Sequence, residues 1–252
     1  MPRVARRRSS SGFYHVMMRG NGRQILFEDD ADRDYYLAKL YFCCKDEGVV
    51  ILAWCLMDNH VHLLVLDEDA RLSVAMARTN SAYARHFNKT HGHVGHVFQD
   101  RYRSEPIDDE RYLLETVRYI HNNPEEAGIC RAESYRWSSY REYMGSPRLV
   151  DTSVILQLLG GRTQFRKFCR ERSNPTLRLR YAHNPTSETL IDIASDVISP
   201  ESPDNVSALP REKRNRCLRL LLDAGFSLRQ IERLTGIGKT TIIDATHPSS
   251  RR

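Results

Sequence analysis

Two histidines separated by one residue, His60 and His62, lie at the junction of two apolar runs of the chain. Residues two apart in a β-strand point to the same face of a sheet, so a strand would place the two imidazoles side by side. Neutral imidazoles bind divalent metals, which makes the pair a candidate for two ligands of one ion. Packing or hydrogen bonding explains such a pair about as often as metal binding does. A second group of residues is therefore needed to distinguish these interpretations.

Tyr119 and Asn123 form that second group, about sixty residues further along the chain. The preceding residues 109–118 open with acidic side chains and carry apolar residues at helical spacing, which predicts a helix. Asn123 follows Tyr119 by four residues, so both side chains lie on one helix face. Pro124 disfavours helical geometry at the residue before it, which predicts that the helix ends at Asn122 with the pair in its last turn. A half-buried structural tyrosine is the alternative interpretation.

Together these side chains have the composition of a site that cleaves phosphodiesters. A tyrosine hydroxyl is a weak nucleophile at its ordinary pKa of about 10, and its attack on phosphate needs a cation that polarises a phosphate oxygen. Two imidazoles and an amide leave positions on that cation for phosphate and water. The product would be a covalent phosphotyrosine and a free DNA hydroxyl. Because this linkage conserves the bond energy, rejoining the strand needs no nucleotide cofactor.

Three sequence blocks resemble the single-tyrosine transposases. Residues 57–64 (MDNHVHLL) look like the His-hydrophobic-His (HUH) motif of that family, and residues 95–104 and 119–124 resemble two further blocks in the same order. The resemblance covers residues 10–145 and points to the REP-associated tyrosine transposases, bacterial proteins linked to repetitive extragenic palindromes. It implies the HUH nuclease fold, an α+β sandwich with a ferredoxin-like antiparallel sheet and helices.

The same resemblance implies an activity: a transposase-like single-stranded DNA endonuclease and strand-transferase that cleaves and rejoins DNA at hairpin or palindromic sites. Tyr119 would be the nucleophile and would form a 5′-phosphotyrosine intermediate. His60 and His62 would hold Mg²⁺ or Mn²⁺. The expected partner is therefore single-stranded DNA that contains hairpins.

The third metal ligand in this family lies one helical turn after the tyrosine, which is Asn123 in this chain. Some relatives of the fold carry glutamine there. His121 and Glu115 are the competing candidates. His121 lies on a different helix face from the tyrosine, whereas Glu115 lies one turn before it on the same face.

Basic side chains with aromatic neighbours surround these motifs, a pattern that favours single-stranded nucleic acid as a partner. The candidate DNA contacts in this part of the chain are Arg78, Arg85, Arg101, Arg103 and Arg118. Arg101 and Arg103 fall within the second block of the resemblance. Ordinary surface or core positions are the alternative for about half of such residues.

Composition agrees with a nucleic-acid partner inside a reducing compartment. The net charge is +6 and the pI is about 9.0, which suits a polyanion. None of the six cysteines forms a Cys-x-x-Cys pair, which argues against a zinc ribbon. Several cysteines lie among apolar residues, which predicts buried thiols in a reducing compartment. We expect the protein in the bacterial cytoplasm, associated with the nucleoid. No apolar run approaches the roughly 20 residues of a membrane span, and no secretion signal is recognised at the start of the sequence.

The predicted elements follow the order β-α-β-β-α-β-α over residues 13–122, which is that of a ferredoxin-like α+β sandwich. We divide the chain into four segments. These are a disordered basic arm at 1–11, the HUH catalytic domain at 12–148, a helical segment and linker at 149–210, and a helix-turn-helix module at 211–252. The linker assignment depends on five prolines between residues 174 and 210, with one helix predicted at 187–197.

Three helices are predicted at residues 211–224, 227–236 and 237–246, and together they resemble a helix-turn-helix DNA-binding module. Gly236 would form the turn, and a recognition helix would begin at Lys239. The candidate contacts of this module to duplex DNA are Arg229, Lys239, Thr240 and Thr241. A small helical cap is the alternative. Nucleotide binding at 238–240 is rejected, because Arg233 stands where a phosphate-binding loop needs glycine.

Two functions from different classes follow from these observations. The first is the metal-assisted transposase-like enzyme. The second is a non-catalytic, sequence-specific DNA-binding regulator that keeps the fold, although such a protein needs none of the four site residues. A weaker third hypothesis is a metal-dependent hydrolase that acts through water. The sequence leaves open whether the protein is a monomer or a homodimer.

Overall fold

The computed structural model describes residues 7–145, 147–181 and 186–246, and the chain divides into two compact units, Met1–Arg172 and Ser173–Arg252. Residues 1–6 of the predicted basic arm lie outside the described residues. Residues 7–11 of this arm are described, and Ser10 binds it to the first unit: its backbone N–H and its hydroxyl both donate to the carboxylate of Asp108.

A four-stranded antiparallel sheet forms the centre of the first unit. Its strands are β1 (Phe13–Arg19), β2 (Val50–Met57), β3 (His60–Leu66) and β4 (Arg103–Ile107). The strand order is β2-β3-β1-β4, and all three pairings are antiparallel. The helices of this unit are α1 (Asp30–Asp46), α2 (Leu72–His91), α3 (Glu110–Glu126), α4 (Tyr140–Met144), α5 (Ser153–Leu159) and α6 (Arg162–Arg170). The predicted ferredoxin-like α+β class is confirmed.

The two faces of the sheet differ in polarity because alternate residues of each strand point in opposite directions. Val61, Leu63 and Val65 of β3 are fully buried on the face that α1 and α2 cover. On β1, Met18 belongs to that face, where its sulfur accepts a hydrogen bond from Tyr36 of α1. The intervening residues point toward α3, so this second face carries the histidines.

Helix α3 begins at a cap and continues through a proline. The carboxylate of Asp109 accepts from the backbone N–H of Tyr112 at 2.7 Å, as an N-cap does. The predicted end at Asn122 is wrong, because the helix runs through Pro124 to Glu126. A proline has no backbone N–H, so the carbonyl four residues before Pro124 loses its helical donor, and this single bond is lost close to the end of the helix.

The second unit is helical throughout its regular structure. It contains α7 (Pro175–Tyr181), α8 (Ser187–Ile198), α9 (Arg211–Asp223), α10 (Leu228–Thr235) and α11 (Lys239–Thr246), with a short 3₁₀ helix at Pro203–Ala208. Ser227 and Gln230 form a capping box at the start of α10, and Gly236 ends that helix in the left-handed region at φ 69°.

The domain boundary differs from the one expected from the sequence, because most of the predicted linker belongs to the second unit. Leu190, Ile193 and Ile198 of α8 are buried in one core with residues of α9, α10 and α11. The prolines taken as linker signals stand largely at helix starts: Pro175 opens α7, and Pro210 is the residue before α9. Proline fits these positions because the first helical turn needs no backbone donor.

Two expectations from composition concern the thiols and the membrane. All six cysteines are free, and five of them are buried. Within the described ranges, no helix combines the length and the apolar composition that crossing a bilayer requires.

Replacement of Ile193 by alanine tests whether α8 is part of the second core. We expect this unit to lose about 2–5 kcal/mol of unfolding free energy, because the substitution leaves a cavity at a position that is 1% exposed. Hydrogen exchange of the α9 amides under increasing urea measures the loss. Ile191→Ala is the matched control, since Ile191 of the same helix is 48% exposed. Equal effects of the two substitutions would show that α8 is a peripheral linker.

Candidate functional site

Helix α3 lies against β2 and β3 and brings together the four residues that the sequence singled out. His60 Nε2 lies 3.0 Å from Asn123 Oδ1. The ring of Tyr119 stands perpendicular to the ring of His62, with centroids 5.4 Å apart. Tyr119 is 5% exposed, so its ring is enclosed between helix and sheet. Residues from two distant segments thus form one cluster at the end of β3.

His60 has an oxygen neighbour at each ring nitrogen. Its Nδ1 lies 2.8 Å from Asn59 Oδ1, and its Nε2 faces Asn123 Oδ1. A neutral imidazole carries one N–H and can donate to only one of these oxygens. If Nδ1 donates to Asn59, the lone pair of Nε2 points at the lone pairs of the Asn123 amide. A cation between these two atoms would satisfy both.

A third histidine, His15 of β1, completes the cluster and was missed from the sequence. Its Nε2 lies 3.0 Å from Nδ1 of His62, and the two rings stack with centroids 5.1 Å apart. The pairing of Met17 with His62 sets this register and turns His15 to the α3 face. The position of His15 in the cluster follows only from the strand pairing, because no sequence motif near residue 15 marks it as part of a site.

Burial keeps two of these rings neutral. Burial, together with a smaller contribution from the positive charge of Arg103, lowers the pKa of His15 from its ordinary value to about 3. Burial is also the main cause that holds the pKa of His62 well below its ordinary value, followed by the charges of His60, His15 and Arg19. Because each neutral imidazole carries one N–H, the contact between His15 Nε2 and His62 Nδ1 forms a hydrogen bond when one of these nitrogens donates and the other accepts.

The donor set fits a small divalent cation. With Nδ1 of His62 engaged by His15, Nε2 is the nitrogen that a cation would use. The 3.0 Å between His60 Nε2 and Asn123 Oδ1 matches the spacing of neighbouring ligands in an octahedron with bonds of about 2.1 Å. In the part of the chain that the structure describes, no three His, Cys, Asp or Glu side chains are placed to hold a metal. A site here therefore needs the amide of Asn123.

The competing third ligands have other contacts. His121 lies 2.8 Å from the hydroxyl of Ser139 and packs against Tyr143 and Phe165. Glu115 accepts from Arg118 at 3.1 Å. These contacts favour Asn123 over both.

The predicted DNA-contact arginines fall in different places. Arg103 of β4 is exposed and pairs in register with Met17, which puts its side chain on the face of the histidines. Arg101, also exposed, lies just before that strand. Arg78 and Arg85 belong to α2 on the other face of the sheet, where Arg78 forms ion pairs with Asp46 and Glu47 at 2.5 and 2.7 Å.

Arg118 is buried in contacts that join α3 to α6. Its guanidinium forms ion pairs with Glu115 at 3.1 Å and Glu171 at 2.8 Å, and its Nε donates to the carbonyl of Phe168. The guanidinium also lies 3.8 Å from the centre of the Phe168 ring. These contacts account for its charge within the fold.

The candidate contacts of the second unit lie on α10 and α11. Arg229 is exposed in the first turn of α10. Lys239, Thr240 and Thr241 are exposed in the first turn of α11, and the Lys239 ammonium lies 3.3 Å from Glu232.

Comparison with known proteins gives two findings. Residues 8–123 match the family described as "Transposase IS200 like". A solved REP-associated tyrosine transposase bound to a REP hairpin has a similar fold, with a TM-score of 0.50 and 17% sequence identity over 60% of this chain and 90% of that chain. No curated protein matches the chain. The family match spans all four strands and ends at Asn123, so it includes the whole histidine and tyrosine cluster.

Proposed function

We propose that this chain cleaves and rejoins single-stranded DNA, because residues 8–123 match the family described as "Transposase IS200 like". The observation that carries the proposal is the enclosed ring of Tyr119 against His62, with Asn123 of the same helix 3.0 Å from His60. Hairpin-forming single strands are the proposed substrates, since the transposase of similar fold was solved with a REP hairpin.

The proposed reaction uses Tyr119 as the nucleophile. Its hydroxyl oxygen attacks phosphorus, the bond from phosphorus to the 3′ oxygen breaks, and the 5′ phosphate stays on the tyrosine. The phenolic proton passes to solvent and the released 3′ oxygen takes up a proton. In the reverse step a 3′ hydroxyl attacks the phosphotyrosine and restores the diester. One phosphate ester replaces another in each step, so no nucleotide is consumed.

We further propose that His60, His62 and Asn123 hold Mg²⁺ or Mn²⁺. When bound, such an ion polarises a phosphate oxygen and stabilises charge in the transition state. The facing atoms of His60 and Asn123 support this assignment, as does the hydrogen bond that reserves one nitrogen of His62. Within the chain, His15 then has the role of a positioning residue that fixes the tautomer and orientation of His62.

For the second unit we propose a helix-turn-helix that contacts duplex DNA through α10 and α11. Support comes from the left-handed turn at Gly236 between the two helices and from the exposed polar and basic side chains in the first turns of both. If DNA binding by this module were the only activity, the protein would be a non-catalytic, sequence-specific DNA-binding regulator.

Tyr119→Phe tests the nucleophile. The protein is incubated with labelled hairpin oligonucleotides from the DNA that flanks its own gene, with Mn²⁺ or with chelator, and analysed on a denaturing gel. We expect a metal-dependent covalent band with the wild-type protein and none with Tyr119→Phe, because phenylalanine has no hydroxyl. Tyr41→Phe, on the helix α1 that covers the other face, is the control and should keep the band. Cleavage that survives Tyr119→Phe would indicate water as the nucleophile, and binding without cleavage would favour the regulator.

Substitutions at His15 test the positioning of His62. We expect His15→Phe to weaken Mn²⁺ binding about 10- to 100-fold in calorimetry, because the partner of His62 Nδ1 is lost while the ring volume is kept. His15→Gln places an oxygen near the position of Nε2 and should retain an affinity within about threefold of the wild type. Equal losses in both variants, or none, would exclude this role.

Removing two charges tests the module in the second unit. The double substitution Arg229→Ala and Lys239→Ala should weaken binding to duplex DNA. It should also reduce the slope of log affinity against log salt concentration by about 2, because each phosphate contact contributes about 0.9. Fluorescence anisotropy across salt concentrations gives the slope. Arg141→Ala, which removes an exposed charge of α4, is the control. An unchanged slope in the double variant would exclude these helices as the DNA contact.

A further inference from the structure

Arg19, the last residue of β1, has a guanidinium whose buried donors lack acceptors. Its Nε and Nη1 are inaccessible to solvent and make no hydrogen bond with any residue that the structure describes. By contrast, the buried guanidinium groups of Arg118 and Arg178 each form ion pairs with two carboxylates. Charged groups left without partners in this way are costly, so an unmatched guanidinium indicates an acceptor that the fold itself does not supply.

The position of Arg19 indicates what that acceptor is. It pairs in register with His60 across β1 and β3, so the two side chains leave the sheet on the same face and next to each other. The charge of Arg19 contributes to the lowered pKa of His62. Arg23 lies close enough to lower the pKa of Arg19, although burial is the larger cause. Arg103 belongs to the same face. Arg19 and Arg103 thus share the face of the histidines, and the charge of Arg23 lies near Arg19, an arrangement that an anion stabilises.

We propose that Arg19 is a catalytic residue that binds the phosphate group attacked by Tyr119. This inference rests on the proposed strand-cleavage function. The phosphate oxygens would accept from Nε and Nη1, which are matched only when DNA is bound. As phosphorus passes through its transition state, charge increases on those oxygens, and a fixed guanidinium stabilises that charge better than water does.

The test compares single-turnover formation of the Tyr119 adduct in the wild type, Arg19→Met and Arg19→Lys. We expect Arg19→Met to slow the reaction about 100-fold or more and Arg19→Lys to recover part of the rate, since lysine restores the charge without the planar donors. The Kd for Mn²⁺ should stay within threefold of the wild type. The DNA-free Arg19→Met protein should melt at the same or a higher temperature, because two buried donors without acceptors are removed. Arg141→Met is the control.

Each outcome separates this inference from the proposed function. If the wild type forms the adduct and Arg19→Met forms it within threefold of that rate, the role of Arg19 is wrong and the cleavage function stands. If the wild type forms no adduct, the cleavage function fails, and equilibrium binding of the same hairpins by Tyr119→Phe decides about Arg19. There, adding Arg19→Met should weaken binding at least tenfold and reduce the salt slope by about 0.7, the value for one contact to single-stranded DNA. Unchanged binding, or a lowered melting temperature in Arg19→Met, would overturn the inference.

Discussion

The packing of α3 on a polar sheet face is the constraint on which the rest of the structure depends. A sheet buried between helices normally carries apolar residues on both faces, but here the inner face of β1 and β3 presents three histidines to the helix. Buried polar groups are tolerated when they are hydrogen-bonded. The contact of His15 with His62 meets this condition, and His60, which lies against Asn59 and Asn123, can donate to one of these two amides. The contact between His60 and Asn123 also ties β3 to α3 and so fixes where Tyr119 lies.

Much of this cluster could be predicted from the sequence because it depends on local periodicity. The two-residue repeat of a strand places His60 beside His62, and the four-residue spacing of a helix places Asn123 beside Tyr119. The resemblance inferred from three motifs agrees with the match of residues 8–123 to the family described as "Transposase IS200 like". The order of strands and helices and the ferredoxin-like class are confirmed. The roles of the individual site residues stay predictions.

The parts that the sequence did not reveal depend on contacts between distant segments. His15 and Arg19 reach the cluster only through the register of β1 against β3, which no local pattern encodes. Arg118, predicted as a DNA contact, forms an ion pair within the fold with Glu171, the residue after α6. Two predictions that depended on prolines were wrong. Pro124 lies inside the last turn of α3, and Pro175 opens a helix in the segment predicted as linker. Pro175 costs no helical hydrogen bond because the first turn needs no donor, whereas Pro124 costs one bond, close to the end of α3.

Anomalous diffraction from crystals soaked in Mn²⁺ tests whether His60, His62 and Asn123 form one divalent-metal site next to Tyr119. We expect one strong peak at bonding distance, about 2.2 Å, from His60 Nε2, His62 Nε2 and Asn123 Oδ1. A peak that involves His121 or Glu115 in place of Asn123 would exclude this ligand set. Saturating Mn²⁺ with no peak near the tyrosine would show that these residues hold no divalent metal.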